Sequence, residues 1–382
     1  MQKLPIILDG SMGINLMRAG LPDGVCVEQW LLEHPAVFMK LLAEYADAGS
    51  DIVYAPTFGA NRFKLARFGL ADKTREINME LVRLSKEAVQ GRAKVFGDLS
   101  PSGGFVVPIG TLTFDELTEA FEEQICACKD AGADGVVIET QMTVSDLRAS
   151  LIAAKKLQMP AYVTVTVNEH GKMLDGTDFA SVVVIAQSLG AEAVGMNCSD
   201  GPEKMIKNLG RGYDVARIPL IAKPNAGMPD PETGLFPYTP DKFASYAEPL
   251  MREGASVLGG CCGTEPSHIA ALAEAVKTLP WPAVKTDVAD HVATAHQVFR
   301  LDGLTVPGEE ITASEWLIDD CEEASDCDYL VIRIEDEEGL NAFCESISQL
   351  QLPVLLTGEQ ELVQKALLRY DGVALNYYEN RA

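Results

Sequence analysis

Eight apolar runs of strand length occupy the first 280 residues, and they constrain the fold more than any other feature. Each run is rich in Val and Ile and nearly continuous, which is typical of strands buried on both faces, as in a parallel sheet. Segments with helical periodicity separate the runs. The predicted strands are Pro5–Asp9, Asp51–Thr57, Lys94–Ser100, Gly135–Thr140, Ala161–Val167, Ala191–Cys198, Pro219–Asn225 and Ala255–Cys262.

The number of these units predicts how the sheet is arranged. Eight strand–helix units within about 260–280 residues match the size of a closed (β/α)8 barrel. Helical periodicity is clearest in Pro35–Ala48, Thr113–Ala131 and Ser145–Leu157. We therefore predict an α/β fold with a (β/α)8 TIM barrel. A doubly wound open sheet is the alternative, and the count of eight strands favours closure.

Three cysteines lie at the ends of predicted strands. Cys261 and Cys262 end the eighth strand between glycines, and Cys198 ends the sixth. Glycine lets the backbone curl so that adjacent thiols face one metal ion, whereas a disulfide between neighbouring residues is strained. The carboxyl ends of barrel strands meet at one mouth, so we expect the three thiols to converge. Three thiolates with one open position are the ligand set of a catalytic zinc site.

Other polar residues and glycines collect at the same strand ends. The loop from Gly10 to Gly13 joins a strand to a helix, and its backbone amides suit a substrate carboxylate. Glu139 ends an apolar strand, where an unpaired carboxylate is costly; it is either a partner for a substrate ammonium group or a buried structural acceptor. Asp9 either shapes the substrate pocket or caps the following turn. Asn225 is either a turn residue or part of the site.

The remaining cysteines show no metal-binding pattern. They lie on helical or loop stretches, and the pair at positions 126 and 128 is not a Cys-x-x-Cys motif. A buried apolar role is the favoured interpretation for them, and it is the alternative for the three strand-end cysteines as well. His268 is interpreted as a helix residue. The six cysteines are Cys26, Cys126, Cys128, Cys321, Cys327 and Cys344.

Composition narrows the classes of partner. The chain has 31 basic and 56 acidic residues, and the net charge of −25 disfavours nucleic acid and anionic membrane surfaces. No apolar run reaches the roughly 18 residues that span a bilayer, and the stretch Met1–Pro5 lacks signal-peptide architecture. Nine cysteines without an export signal indicate reduced thiols. We therefore predict a cytoplasmic protein with neither nucleic acid nor membrane as a partner.

The last part of the chain reads as a separate unit. Residues 280–300 are predicted to form a boundary between a barrel over 1–285 and a small α/β lobe over 297–382. The lobe holds 5 basic and 19 acidic side chains, a net charge of −14. It is predicted to be a β-α-β-α-β unit. The elements are strand Asp328–Ile334, helix Gly339–Leu350, strand Pro353–Thr357, helix Gln360–Tyr370 and strand Gly372–Tyr377.

Several of these strand ends together resemble the homocysteine-binding, zinc-dependent methyltransferase family, over roughly residues 1–280. The loop from Lys223 to Gly227 is more similar to the cobalamin-dependent methionine synthase branch than to the S-methylmethionine or betaine branches. The tail weakly resembles the opening strands of a methyltetrahydrofolate-binding (pterin-binding) barrel. The segments that carry the resemblance are Leu8–Gly13, Met196–Cys198, Ala222–Gly227 and Gly259–Gly263.

The resemblance implies a zinc-dependent methyltransferase that activates homocysteine as a thiolate and methylates it to methionine. Cys198, Cys261 and Cys262 would be the catalytic and zinc-binding residues, and Asn225 a further candidate ligand through its neutral oxygen. The residues expected to bind substrate are Asp9, Gly10, Ser11, Met12, Gly13, Glu139 and Asn197.

The source of the methyl group is left open. The chain has no Asp-x-His-x-x-Gly cobalamin-binding motif. We therefore expect cobalamin or methyltetrahydrofolate only through a partner, either a corrinoid or methyl-donor protein or a further part of a longer chain. The alternatives are direct transfer from S-methylmethionine or betaine, and a non-enzymatic protein that binds zinc or a thiol amino acid.

Overall fold

Eight parallel strands form the larger sheet of the protein. The computed structural model describes residues 5–199, 201–285, 287–324 and 326–376. The strands pair in the order β1-β8-β7-β6-β5-β4-β3-β2, and a parallel bridge between Leu8 and Ile52 joins the two ends. The predicted (β/α)8 barrel is therefore confirmed, and the open sheet is excluded. The strands are β1 (Ile6–Ile7), β2 (Ile52–Ala55), β3 (Lys94–Leu99), β4 (Gly135–Gln141), β5 (Ala161–Val165), β6 (Ala193–Cys198), β7 (Leu220–Pro224) and β8 (Ala255–Leu258).

Helices connect and surround these strands, and the three segments with the clearest periodicity are all helical. The start of α6 illustrates how the sequence sets a boundary. The Thr113 hydroxyl accepts a hydrogen bond from the Glu116 amide, and the Glu116 carboxylate accepts one from the Thr113 amide. The helices are α1 (Gly13–Arg18), α2 (Val27–Glu33), α3 (Pro35–Asp47), α4 (Arg62–Ala66), α5 (Thr74–Val89), α6 (Phe114–Asp130), α7 (Val144–Lys156), α8 (Phe179–Ser188), α9 (Pro202–Tyr213), α10 (Pro240–Ala244), α11 (Ala247–Arg252) and α12 (Pro266–Val276).

The interior of the barrel has an apolar floor and a polar upper layer. Side chains alternate between the two faces of a strand, so residues two apart point the same way. The upper layer therefore includes Asp98, Glu139, Asn197 and Lys223, which follow interior residues of β3, β4, β6 and β7. The floor consists of Ile6, Leu8, Ile52, Tyr54, Phe96, Val137, Tyr162, Ala193, Ile221 and Val257.

The tail forms a second, three-stranded parallel sheet in the order β11-β12-β13. A short antiparallel hairpin precedes it, where the sequence predicted only a boundary. Among the described residues, no helix is both long and apolar enough to cross a membrane. The elements are β9 (His291–Ala293), β10 (Val298–Arg300), β11 (Pro307–Thr312), α13 (Leu317–Glu323), β12 (Tyr329–Ile334), α14 (Glu337–Ser346), β13 (Val354–Gly358) and α15 (Gln360–Arg369).

The tail contains one strand that the sequence analysis missed, and one predicted strand that is not regular. The segment Gly372–Asn376 is not a regular strand: Val373 bridges to Ala293 of the hairpin, and toward the sheet the Leu375 amide donates to the Val354 carbonyl (2.9 Å). Tyr377, the last residue of the predicted strand, lies outside the described residues. The missed strand is Pro307–Thr312, whose proline, glycine and two glutamates disfavour a strand assignment. Proline is tolerated there because it is the first residue of an edge strand.

The apolar side chains of the tail gather in a core of their own. Leu330, Ile332 and Ile334 of β12 form its centre and pack against α14 and α15. Ala293 and Val373, in contrast, belong to the core of the barrel. The division into domains at 1–285 and 297–382 stays a prediction, and the hairpin and the segment after α15 are the parts that bear most directly on it.

Arg148 of α7 joins the tail to the barrel. Its side chain is buried, and its guanidinium group donates to the carbonyl oxygens of Leu367 (2.7 Å), Leu368 (3.3 Å) and Gly372 (2.9 Å). The first two carbonyl groups belong to the last turn of α15, where carbonyl groups have no hydrogen-bond partners within the helix. Burial lowers the pKa of Arg148 to about 10, so the group stays charged at neutral pH and suits the negative end of the helix.

We expect Arg148→Met to loosen the contact between α15 and the barrel. The substitution removes the buried cation and leaves three carbonyl oxygens without a donor, which should cost about 2–3 kcal/mol. Hydrogen exchange of the α15 amides should become faster, and the urea midpoint should fall. Lys155→Met removes an exposed cation from the same helix and serves as the control. Unchanged exchange in α15 of the Arg148 variant would contradict the assignment.

Candidate metal and substrate site

The three strand-end cysteines converge at the mouth of the barrel. The sulfur of Cys198 lies 3.0 Å from that of Cys261 and 3.6 Å from that of Cys262, and all three sulfurs lie within 4.8 Å of one another. A tetrahedral ion about 2.3 Å from each sulfur would separate them by about 3.8 Å. The two distances from Cys198 are somewhat shorter than this, and the donor set of three thiols fits zinc by its chemistry. Within the described ranges, no other group of three His, Cys, Asp or Glu side chains is arranged to bind a metal ion.

The backbone around Cys198 is shaped to turn its thiol toward the other two. Cys198 has a φ of 51°, a left-handed conformation that is uncommon outside glycine. The preceding residue, Asn197, donates from its side-chain amide to the Thr140 hydroxyl (2.6 Å) and to the sulfur of Cys261 (3.7 Å). Its oxygen accepts from the Thr140 amide (3.1 Å). Asn197, predicted to bind substrate, is thus placed to hold the cysteine cluster.

The loop that carries the paired cysteines is held by the end of β7. The amide of Cys261 donates to the Pro224 carbonyl (2.9 Å), and the amide of Cys262 donates to Oδ1 of Asn225 (3.0 Å). The side-chain oxygen of Asn225 therefore already orients the cysteine loop. Ligation of a metal ion by Asn225 stays a prediction.

The cysteine cluster favours negative charge. Hydrogen bonds from Cys198 and Cys261 to the sulfur of Cys262 lower the pKa of Cys262 to about 3. The hydrogen bond of Cys198 with Cys261, and then that with Cys262, raise the pKa of Cys198. Within the described parts of the chain every cysteine is a free thiol. At neutral pH the cluster thus holds at least one thiolate, which suits a divalent cation.

A buried lysine lies beside the cluster, and the sequence analysis did not assign it a role. Nζ of Lys223 lies 3.2 Å from Oδ1 of Asp9, 3.1 Å from Oε1 of Glu139 and 3.8 Å from the centroid of the Tyr54 ring. Burial acts to lower the pKa of Lys223, but Glu139, Tyr54 and Asp9 together raise it well above its usual value. Lys223 is therefore a permanent cation within the barrel. A charged residue at the end of a buried strand was the signal in the sequence.

The two carboxylates that contact Lys223 differ in how many of their oxygens are free to accept a hydrogen bond from a substrate. Oδ2 of Asp9 accepts from the Tyr54 amide (2.7 Å), so both of its oxygens are engaged, and the side chain is 2% exposed. Glu139 is 13% exposed, and Lys223 contacts only one of its oxygens. Burial raises the pKa of both carboxyl groups, that of Asp9 to about 6. Of the two, Glu139 is the one that faces the mouth.

The glycine-containing loop is fixed by a residue that sequence analysis did not single out, Thr264. Its hydroxyl accepts a hydrogen bond from the Ser11 amide (3.0 Å), so this amide does not point freely toward a substrate carboxylate as predicted. Gly10 is required here, because a Cβ atom would come within 2.6 Å of the same hydroxyl. Met12 is half-buried and Gly13 begins α1. The loop therefore lies at the predicted mouth, with one of its amides already used.

The fold and the cysteine cluster agree with what a comparison of sequences finds. The sequence model of the family described as homocysteine S-methyltransferase matches residues 6–276. This is more than half of the chain, and the chain belongs to the homocysteine S-methyltransferase family. The match ends where α12 ends, so the tail lies outside it.

Individual relatives agree with this assignment. Methionine synthase of Mycobacterium leprae is 30% identical over 290 residues, which is 70% of this chain and 24% of the relative. Methionine synthase of Mycobacterium tuberculosis is 29% identical over 296 residues, with coverages of 72% and 25%. The chain thus spans about a quarter of the length of these relatives. The metallated crystal structure of the homocysteine methyltransferase MmuM from Escherichia coli is 23% identical, with a TM-score of 0.60 and coverages of 70% and 95%, which supports the fold.

The raised pKa of Asp9 predicts a pH dependence of stability. Between pH 4 and 6 the unfolded chain loses the Asp9 proton near 3.8, whereas the folded protein keeps it until about 6. The free energy of unfolding should therefore fall by up to about 3 kcal/mol as the pH rises through this range. Urea unfolding at pH 4.5 and 6.5 should show a smaller fall in Asp9→Asn. Asp23→Asn, at an exposed loop position, is the control, and equal slopes in all three proteins would contradict the prediction.

Proposed function

We propose that the chain binds zinc through Cys198, Cys261 and Cys262 and catalyses methylation of the homocysteine sulfur to give methionine. The observation that carries the proposal is that three thiols converge at one barrel mouth, where the largely buried carboxylate of Glu139 also lies. Family membership supports the choice of substrate, and the metallated form of MmuM supports the choice of a metal. When bound, zinc supplies Lewis acidity that favours the ionised form of a substrate thiol.

Different residues of the chain bind the metal ion, position its ligands and bind the substrate. The three cysteines would hold the metal ion, while Asn197 and Asn225 hold the cysteines in place. Glu139 accepts hydrogen bonds from the substrate ammonium group. Lys223 keeps Glu139 oriented and holds Asp9, the other carboxylate predicted to bind substrate, beside it. The loop at Gly10–Gly13 faces the substrate carboxylate.

Methyl transfer forms a bond between the methyl carbon and the substrate sulfur and breaks the bond between that carbon and the donor. We propose that the donor is a corrinoid or methylfolate held by a partner or by a further part of a longer protein. The similarity to methionine synthases about four times as long as the aligned region supports this choice. The alternative, direct transfer from S-methylmethionine or betaine, is supported by the similar fold of MmuM. Nine free-thiol positions fit a cytoplasmic location.

A single comparison tests the proposal. Methionine formation from homocysteine is measured in parallel with methylcobalamin, S-methylmethionine and betaine as donors. The proposal expects turnover with methylcobalamin that exceeds turnover with the two small donors. Higher turnover with S-methylmethionine or betaine would favour the alternative. Zinc and homocysteine binding without turnover from any donor would favour the non-enzymatic binding protein.

We expect Cys261→Ser to lose most of the bound zinc and all activity. Serine cannot supply a thiolate, so the donor set falls from three sulfurs to two, below the three protein ligands of a catalytic zinc site. Elemental analysis should find about one zinc per chain in the wild-type protein and far less in the variant. Cys126→Ser changes a half-buried cysteine on α6 and should keep wild-type zinc. Full zinc occupancy of Cys261→Ser would rule out the assigned ligand set.

A further inference from the structure

A third carboxylate in the barrel has no role in the site described so far. Asp98 lies near the end of β3 and is 7% exposed. Its Oδ1 atom is buried and has no hydrogen-bond partner among the described residues. A buried carboxylate without a donor is costly, and native proteins retain few such groups. The cost is explained if a ligand supplies the missing donor.

Strand register places Asp98 one interior position below Glu139, on the neighbouring strand. Asp98 is paired with Val137 of β4, and Val137 belongs to the interior floor of the barrel. Glu139 follows Val137 by two residues, so both carboxylates project into the interior from neighbouring strands. Their electrostatic coupling agrees with this placement: burial first, and then the charge of Glu139, raise the pKa of Asp98.

The charges around Lys223 do not balance. Asp9, Asp98 and Glu139 all interact with the ammonium group of Lys223, which contacts only Asp9 and Glu139 among these carboxylates. Lys64 also acts on Asp98 electrostatically, but no ion pair joins the two among the described residues. Both oxygens of Asp9 are already engaged. The remaining acceptors are the second oxygen of Glu139 and the unpartnered Oδ1 of Asp98. Two carboxylate oxygens on neighbouring strands of the barrel interior, neither of them paired with Lys223, are suited to a second cation.

We propose that Asp98 is a substrate-binding residue that, together with Glu139, holds the ammonium group of an amino-acid thiol. The inference rests on the proposed function and adds a second carboxylate to its substrate site. Lys223 then acts as a positioning residue, because it occupies one oxygen of Glu139 and leaves the other for the substrate. The pair of carboxylates selects thiols that carry a free amine over thiols of the same length without one.

The test compares two ligands that differ only in the amine. Calorimetry measures the dissociation constants of homocysteine and of 4-mercaptobutanoate for the zinc-loaded protein. Loss of one charged partner of the ammonium should weaken homocysteine binding by roughly tenfold to a hundredfold in Asp98→Asn. Binding of 4-mercaptobutanoate should change little, so the preference for homocysteine should shrink by the same factor.

A matched control separates this role from the loss of any buried carboxylate. Glu28 is buried and engaged by the Gly59 amide (2.7 Å), and Glu28→Gln should keep the wild-type preference. Zinc content and circular dichroism establish that each variant is folded and loaded. An Asp98→Asn protein with the wild-type preference would overturn the inference.

A second arm decides the question even if Asp98→Asn does not fold. If two carboxylates share the ammonium, Glu139→Gln should retain part of the preference for homocysteine. Complete loss of the preference in Glu139→Gln would show that Glu139 acts alone and would overturn the inference. A wild-type protein that does not bind homocysteine would overturn the proposed function and this inference with it. Wild-type binding with a preference unaffected by Asp98→Asn would overturn this inference only.

Discussion

Parallel pairing of eight strands around a closed barrel is the constraint on which the candidate site depends. It brings the carboxyl ends of all eight strands to one mouth, and the alternation of side chains decides which residues enter the interior. Apolar side chains such as Phe96 and Val137 fill the floor, and Asp98 and Glu139 follow two residues later. The polar layer is thus supported from below by a packed apolar layer, which keeps water away from its charges.

The ion pairs of Lys223 show how such a layer is maintained. A buried ammonium group is costly unless carboxylates compensate it, and buried carboxylates are costly unless a cation lies nearby. Lys223 meets this requirement for Asp9 and Glu139, both of which it contacts. The compensation is incomplete, because Lys223 does not contact Asp98, the third carboxylate of this layer. The surplus negative charge, together with the thiolates of the cysteine cluster, favours positively charged groups at the mouth.

The tail uses the same physical chemistry in a different place. Arg148 is buried between α7 and α15, and its partners are backbone carbonyl groups, two of them at the end of a helix. Lys223, in contrast, is paired with carboxylates. The bridge between Ala293 and Val373 adds a second connection to the barrel. An acidic lobe with its own core is therefore joined to the barrel by a buried cation, a short backbone contact and the ion pair between Arg369 and Asp115. The segment after α15 takes part in this connection through Val373, and it also borders the sheet of the lobe, because the Leu375 amide donates to the Val354 carbonyl of β13 (2.9 Å).

The sequence by itself determined the barrel and the three thiols. Continuous apolar runs show which strands are buried on both faces, and cysteines at the ends of two of those strands must meet if the sheet closes. It did not determine the partners of Lys223, which lie 214 and 84 residues away along the chain, nor the unpaired oxygen of Asp98. The edge strand at Pro307–Thr312 was also decided by tertiary structure. Local periodicity records which face of an element is buried, whereas contacts between distant residues exist only after the strands have paired in register.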